Sequence, residues 1–168
     1  MSGLLQHLVT RKAWGARPPR STSRLAPAAV RYLVVHYSAM DADEQVSHVN
    51  CPGRVRGIQN YHMDSHGWAD VAYNWVVCKH GYIFRGRGWR VRSAATGPAN
   101  GFSVAVCFLG DDTRGRDDAT AAGREAIRSV HRFVGAHAPN LEGVRGHRDF
   151  MATSCPGDEL YRFARSLK

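Results

Sequence analysis

The chain has 168 residues, enough for one domain, since domains commonly run to about 100–200 residues. Its hydrophobic content of 43% excludes disorder, and no apolar run approaches the ~20 residues that would cross a bilayer, so membrane insertion is not expected. Lys+Arg 23 against Asp+Glu 14 gives a net charge of +9, which suits a polyanionic partner: nucleic acid, an anionic membrane or a charged wall polymer.

The opening Met1–Lys12 lacks a basic stretch followed by a long apolar one, so no secretory signal is expected. Residues 15–28 are rich in Pro, Arg, Ser and Ala and read as the end of an irregular N-terminal arm, 1–28, laid over a domain spanning 29–168. Tyr32–Tyr37 is a nearly unbroken apolar run, the pattern of a central strand covered on both faces. A polar loop, Asp41–Asn50, follows, and Val55, Ile58, Tyr61 and His62 then give helical spacing over Gly53–Ser65. Ala72–Lys79 and Tyr82–Arg85, joined across His80-Gly81, read as a hairpin. Ser103–Leu109 is a second buried strand. A helix over 118–138 has Asp117, Asp118 and Thr120 as candidate N-caps, a stripe of Ile127, Val130, Phe133 and Val134, and Pro139 as its stop. A last helix is expected from about Gly157 to Leu167. This irregular alternation, with at least one hairpin, favours a single α/β domain with a central mixed β-sheet flanked by helices. Neither GxGxxG nor GxxxxGK[ST] occurs, so a dinucleotide or P-loop reading has no basis.

The four cysteines (Cys51, Cys78, Cys107, Cys155) form no CxxC pair. Cys78 and Cys107 lie in strand-like runs and are expected in the core; Cys51 and Cys155 each precede Pro-Gly at loop-to-helix junctions. Three side chains could do metal chemistry: His36 near the end of the first strand, His147 in Arg145-Gly146-His147-Arg148-Asp149, and Cys155 eight residues later. Two imidazoles and a thiolate suit Zn²⁺ and leave a fourth tetrahedral position for water. Their wide spacing is compatible equally with ordinary structural histidines. His62 and His66 are four apart, but Met63 stands where an HExxH protease has Glu, so His62 reads as helix surface or cleft wall and His66 as a turn residue. His7, His48, His80, His131 and His137 show no partner pattern and are expected in solvent. Tyr73 opens the second apolar run; its hydroxyl either packs or, in a cleft, could stabilise charge on a carbonyl oxygen.

Five segments, taken in order, resemble the zinc-dependent N-acetylmuramoyl-L-alanine amidases of the peptidoglycan recognition protein and phage-lysozyme amidase superfamily. They are Val34-Val35-His36-Tyr37-Ser38, Gly67–Tyr73, Arg85-Gly86-Arg87-Gly88-Trp89, Gly146–Asp149 and Thr153–Gly157. The resemblance implies a zinc ion bound by His36, His147 and Cys155, with Tyr73 and Thr153 as catalytic groups. It implies substrate contacts from Asn100, Tyr37, Trp68 and Arg87. It further implies bacterial peptidoglycan as partner, with the amide between N-acetylmuramic acid and L-alanine cleaved. This chain departs from the family at 92–97, where a G-x-H-like segment is usual, and at Tyr37, where animal members often carry His, which is closer to phage enzymes. The expected setting is therefore a phage endolysin, monomeric, held in the host cytoplasm until lysis. The alternative is a recognition domain that holds wall fragments without cutting them, although such members commonly lack the Cys ligand. No helix-turn-helix, RRM or zinc-finger pattern is recognisable, so nucleic acid is not an expected partner.

Overall fold

The computed structural model describes residues 7–42, 47–113 and 119–168. Strands β1 (Leu8–Val9), β2 (Tyr32–Tyr37), β3 (Trp75–Val77), β4 (Ile83–Arg85), β5 (Ser103–Phe108) and β6 (Gly143–Gly146) form one sheet in the order β1-β4-β3-β5-β2-β6. The β3–β4 hairpin is antiparallel, and the other neighbouring pairs are parallel. The sheet is mixed, as the sequence predicts. Strand β1, of two residues, is too short and β6, with glycine at both ends, too glycine-bounded to give a periodic signal, and neither is expected from the sequence.

Both faces of the sheet are covered, which is why the strands read as continuous apolar runs. Side chains alternate faces along a strand. Leu33, Val35, Trp75, Val77, Val104, Val106 and Phe108 pack with one helical layer, while Val76, Cys78, Phe84 and Cys107 pack with Trp14, Val55 and Ile58 on the opposite face. The first layer consists of α2 (Ala121–His137) and α3 (Asp158–Ser166), and the second is built on α1 (Cys51–Asn60). Each fully buried aliphatic or aromatic side chain here stabilises the fold by about 1.5–3 kcal/mol.

Local chemistry sets the helix ends. Thr120 caps α2, its Oγ1 accepting from Gly123 N at 3.0 Å. The other two cap candidates, Asp117 and Asp118, lie outside the described residues. Gly123 lets α2 approach the sheet, because a Cβ there would fall 2.7 Å from the Phe108 ring. Pro52 occupies the first turn of α1, where its missing N–H costs nothing. That helix then widens into a π-helical turn, Tyr61–Ser65. The start of α3 is satisfied by buried Asp112, whose Oδ2 accepts from Leu160 N at 2.6 Å.

The N-terminal segment is bound into this framework. Trp14 is fully buried and its Nε1 donates to Arg85 O at 2.9 Å. Arg11 pairs with buried Asp70 at 2.9 Å, and Gln59 Nε2 donates to the same carboxylate at 2.7 Å. Gln59 also bonds the backbone of Arg17 through both ends of its amide. One buried carboxylate thus ties the arm, α1 and the segment before β3. Among the described residues, no helix is long and apolar enough to cross a membrane.

Candidate metal centre

Parallel strands β2 and β6 are neighbours, with Val35 in register with Gly146. The next residues, His36 and His147, therefore emerge side by side at the carboxyl edge of the sheet, the usual place for sites in α/β folds. Their ring centroids are 4.5 Å apart. The chain after His147 makes a short turn and returns with Cys155, whose Sγ lies 3.8 Å from His36 Nδ1. Donor atoms of all three residues lie within 4.8 Å of one another. Gly157 makes the return possible: at φ +87, a Cβ there would sit 1.9 Å from Asp112 O.

The surroundings suit a cation. His36 is 1% exposed, and burial first, then the charge of His147, pushes its pKa well below the ordinary imidazole value. Burial lowers that of His147 too, so both rings are neutral and able to donate lone pairs at neutral pH. Burial pushes the Cys155 thiol up to about 12, against the opposing influence of Tyr37 N–H and Arg148. Tyr37 N donates to that sulfur at 3.4 Å. The trio is thus a possible metal site that loads with loss of the thiol proton. Thr96, absent from the sequence reading, is fully buried and its Oγ1 lies 3.2 Å from His36 Nε2. It fixes the ring so that Nδ1 faces the cysteine, the orienting role an outer group plays for a ligand imidazole. No sequence spacing signals this residue.

Tyr73 lies two residues before β3, its ring 5.4 Å from His36 and 5.7 Å from His62. Burial, then Cys107 and Cys155, holds its hydroxyl well above the ordinary phenol range, so it remains a donor. A cleft of about 360 Å³ opens beside it, lined by Ser38, Met40, Gly57, Ile58, Tyr61, His62 and Tyr73. The other residues singled out from the sequence have varied positions. Thr153 is exposed at the rim, its Oγ1 accepting from Cys155 N at 3.2 Å. Tyr37 pairs its hydroxyl with Ser154 at 3.1 Å. Trp68 stacks on His66 and lies 4.9 Å from His62. Asn100 Oδ1 accepts from Ser93 Oγ and Thr96 N, and so holds the loop that carries Thr96. Arg87 directs its guanidinium to the carbonyls of Val71, Arg92 and Asp70, which makes it a loop brace.

Several histidines differ from expectation. His62 takes the cleft-wall position, one of the two expected for it, and is buried there with Nδ1 accepting from Ala72 N at 3.1 Å; the departures lie elsewhere. Of the five expected in solvent, only His7 is exposed. His137 Nδ1 contacts Phe133 O at 2.7 Å and its ring stacks on Phe133. His131 is half-buried, and His48 and His80 lie against Cys51 and Cys78. Tertiary neighbours remote in sequence, or a ring one helical turn away, cover them.

Fold and site together are a mixed sheet, covered on both faces, with a His/His/Cys cluster at its carboxyl edge. The model of the N-acetylmuramoyl-L-alanine amidase family, Amidase_2, matches residues 26–158, and the chain belongs to that family. Peptidoglycan recognition protein 1 of Mus musculus is 36% identical over 162 residues, covering 95% of this chain and 86% of that protein. The N-acetylmuramoyl-L-alanine amidase of Homo sapiens is 32% identical over 155 residues, covering 91% of this chain but 27% of that longer protein. Among solved structures, human PGRP-IBETAC in complex with glycosamyl muramyl pentapeptide superposes with a TM-score of 0.83 at 27% identity, over 96% of each chain.

Proposed function

We propose that this protein hydrolyses the amide bond between N-acetylmuramic acid and L-alanine in peptidoglycan, using Zn²⁺ held by His36, His147 and Cys155. The observation that carries the reading is the meeting of three metal-ligating side chains beside Tyr73, which itself lines an open cleft. The donor set fits zinc: N and S ligands of borderline softness, three from the protein, with room left for water. When bound, the ion supplies Lewis-acid polarisation of a carbonyl and activation of water at neutral pH.

The chain's own residues do the rest. Tyr73 donates to the scissile carbonyl oxygen and holds the charge that develops on it. Thr153 offers a second hydroxyl at the rim. Trp68 and Tyr37 supply ring surface for the glycan-peptide, while Asn100 and Arg87 fix the loops around the site. The net charge of +9 draws the protein to an anionic wall. Support for a peptidoglycan substrate comes from the muramyl pentapeptide held by the human neighbour. The proposal extends to a phage endolysin acting as a monomer, held in the host cytoplasm until lysis; Tyr37 after the first ligand supports it.

The second reading, a wall-recognition domain without hydrolysis, draws on the recognition-protein relatives. Zinc analysis together with mass spectrometry of digested muropeptides separates the two. Free L-alanine amino termini paired with intact lactyl groups are expected. Zinc-loaded protein that binds fragments and leaves them uncut would refute hydrolysis.

A further inference from the structure

A second cluster of metal-ligating side chains lies outside the catalytic trio. His48, Cys51, Cys78 and His80 place one donor atom each within 4.8 Å of all the others. Cys51 Sγ is 3.6 Å from His80 Nδ1, Cys78 Sγ is 3.9 Å from the same nitrogen, and Cys78 Sγ is 4.0 Å from His48 Nδ1. In a tetrahedral zinc site, bonds of about 2.3 Å to sulfur and 2.0–2.1 Å to nitrogen put sulfur and nitrogen about 3.6 Å apart. The observed separations are within a few tenths of an ångström of that figure. Both cysteines are fully buried, while both imidazoles lie at the half-exposed rim.

The backbone holds these donors from two directions. His48 sits in the 3-10 turn His48–Asn50, which leads directly into Cys51, the first residue of α1. Cys78 follows β3 and His80 lies in the turn to β4. His48 is oriented by a stack on Tyr82, with centroids 3.5 Å apart and planes 15° apart.

We propose that these four residues form a second, structural zinc site, closed and noncatalytic. Two thiolates and two neutral imidazoles neutralise a divalent cation, so the ion can sit against the core with little electrostatic penalty. Four protein ligands leave no position for water, unlike the trio at the sheet edge. Binding releases the two thiol protons. The ion joins the start of α1 to the β3–β4 turn. Because α1 contributes Gly57 and Ile58 to the cleft wall, the second site fixes that wall.

The test uses the full chain carrying Cys155→Ala, so that the trio contributes no sulfur, purified under reducing conditions. About one equivalent of zinc is expected to remain, and cobalt substitution should give thiolate-to-metal charge transfer with tetrahedral d–d bands. Adding Cys78→Ser or the milder rim change His80→Ala should remove both, and the His80→Ala protein should retain its fold by circular dichroism. A metal-free Cys155→Ala chain, cobalt spectra lacking thiolate bands, or a Cys51–Cys78 disulfide in the isolated protein would overturn the proposal.

Discussion

Replacing Tyr73 with Phe separates metal binding from turnover. The ring keeps its neighbours, His36 at 5.4 Å and His62 at 5.7 Å, so packing survives. The lost hydroxyl is not among the three donors of the trio, so zinc content should match the unaltered protein. Among the described residues that hydroxyl is partnered by the Cys107 thiol, a weak hydrogen-bonding group, and stability should fall by less than about 1 kcal/mol. Its protonated state at neutral pH follows from burial. The reaction therefore loses one preorganised donor to the carbonyl oxygen, a loss of about 10²-fold in kcat, or roughly 2.7 kcal/mol of transition-state stabilisation. The assay is turnover of a defined muropeptide, with zinc measured on the same sample. Turnover within about twofold of the unaltered protein, at full zinc loading, would refute the role proposed for Tyr73.

Three further outcomes follow from the contacts. Thr96→Val removes the hydroxyl that orients His36, and should weaken zinc binding by about 10–100-fold in a chelator competition without unfolding the protein. Asp70→Ala leaves Arg11 and Gln59 without their shared acceptor. It should cost about 3 kcal/mol in urea unfolding, near the lower end for a broken buried pair because Arg11 keeps some exposure. His62 has its pKa lowered from 6.5 to about 4, chiefly by burial and secondarily by His66 and Arg87. The unfolded chain therefore binds its proton first as pH falls. Stability should drop by about 3 kcal/mol between pH 6.5 and 4, a slope that His62→Gln should flatten.

The amino-acid sequence by itself carries the parts of this protein that depend on short-range pattern. Strand β2 was legible to the residue, since an apolar run covered on both faces needs only its own six side chains to be read. The stripe of α2 was legible from its period, and the family from five short segments in order. His36, His147 and Cys155 stood out as candidate ligands from the same segments. Their meeting was not legible, because 111 and 119 positions of chain separate His36 from the other two, and only the parallel register of β2 with β6 brings them to one edge. Thr96, the burial of His62 and the pairing of His48 and Cys51 with Cys78 and His80 are likewise products of tertiary approach. Each depends on which elements pack together, a long-range property that no local period encodes.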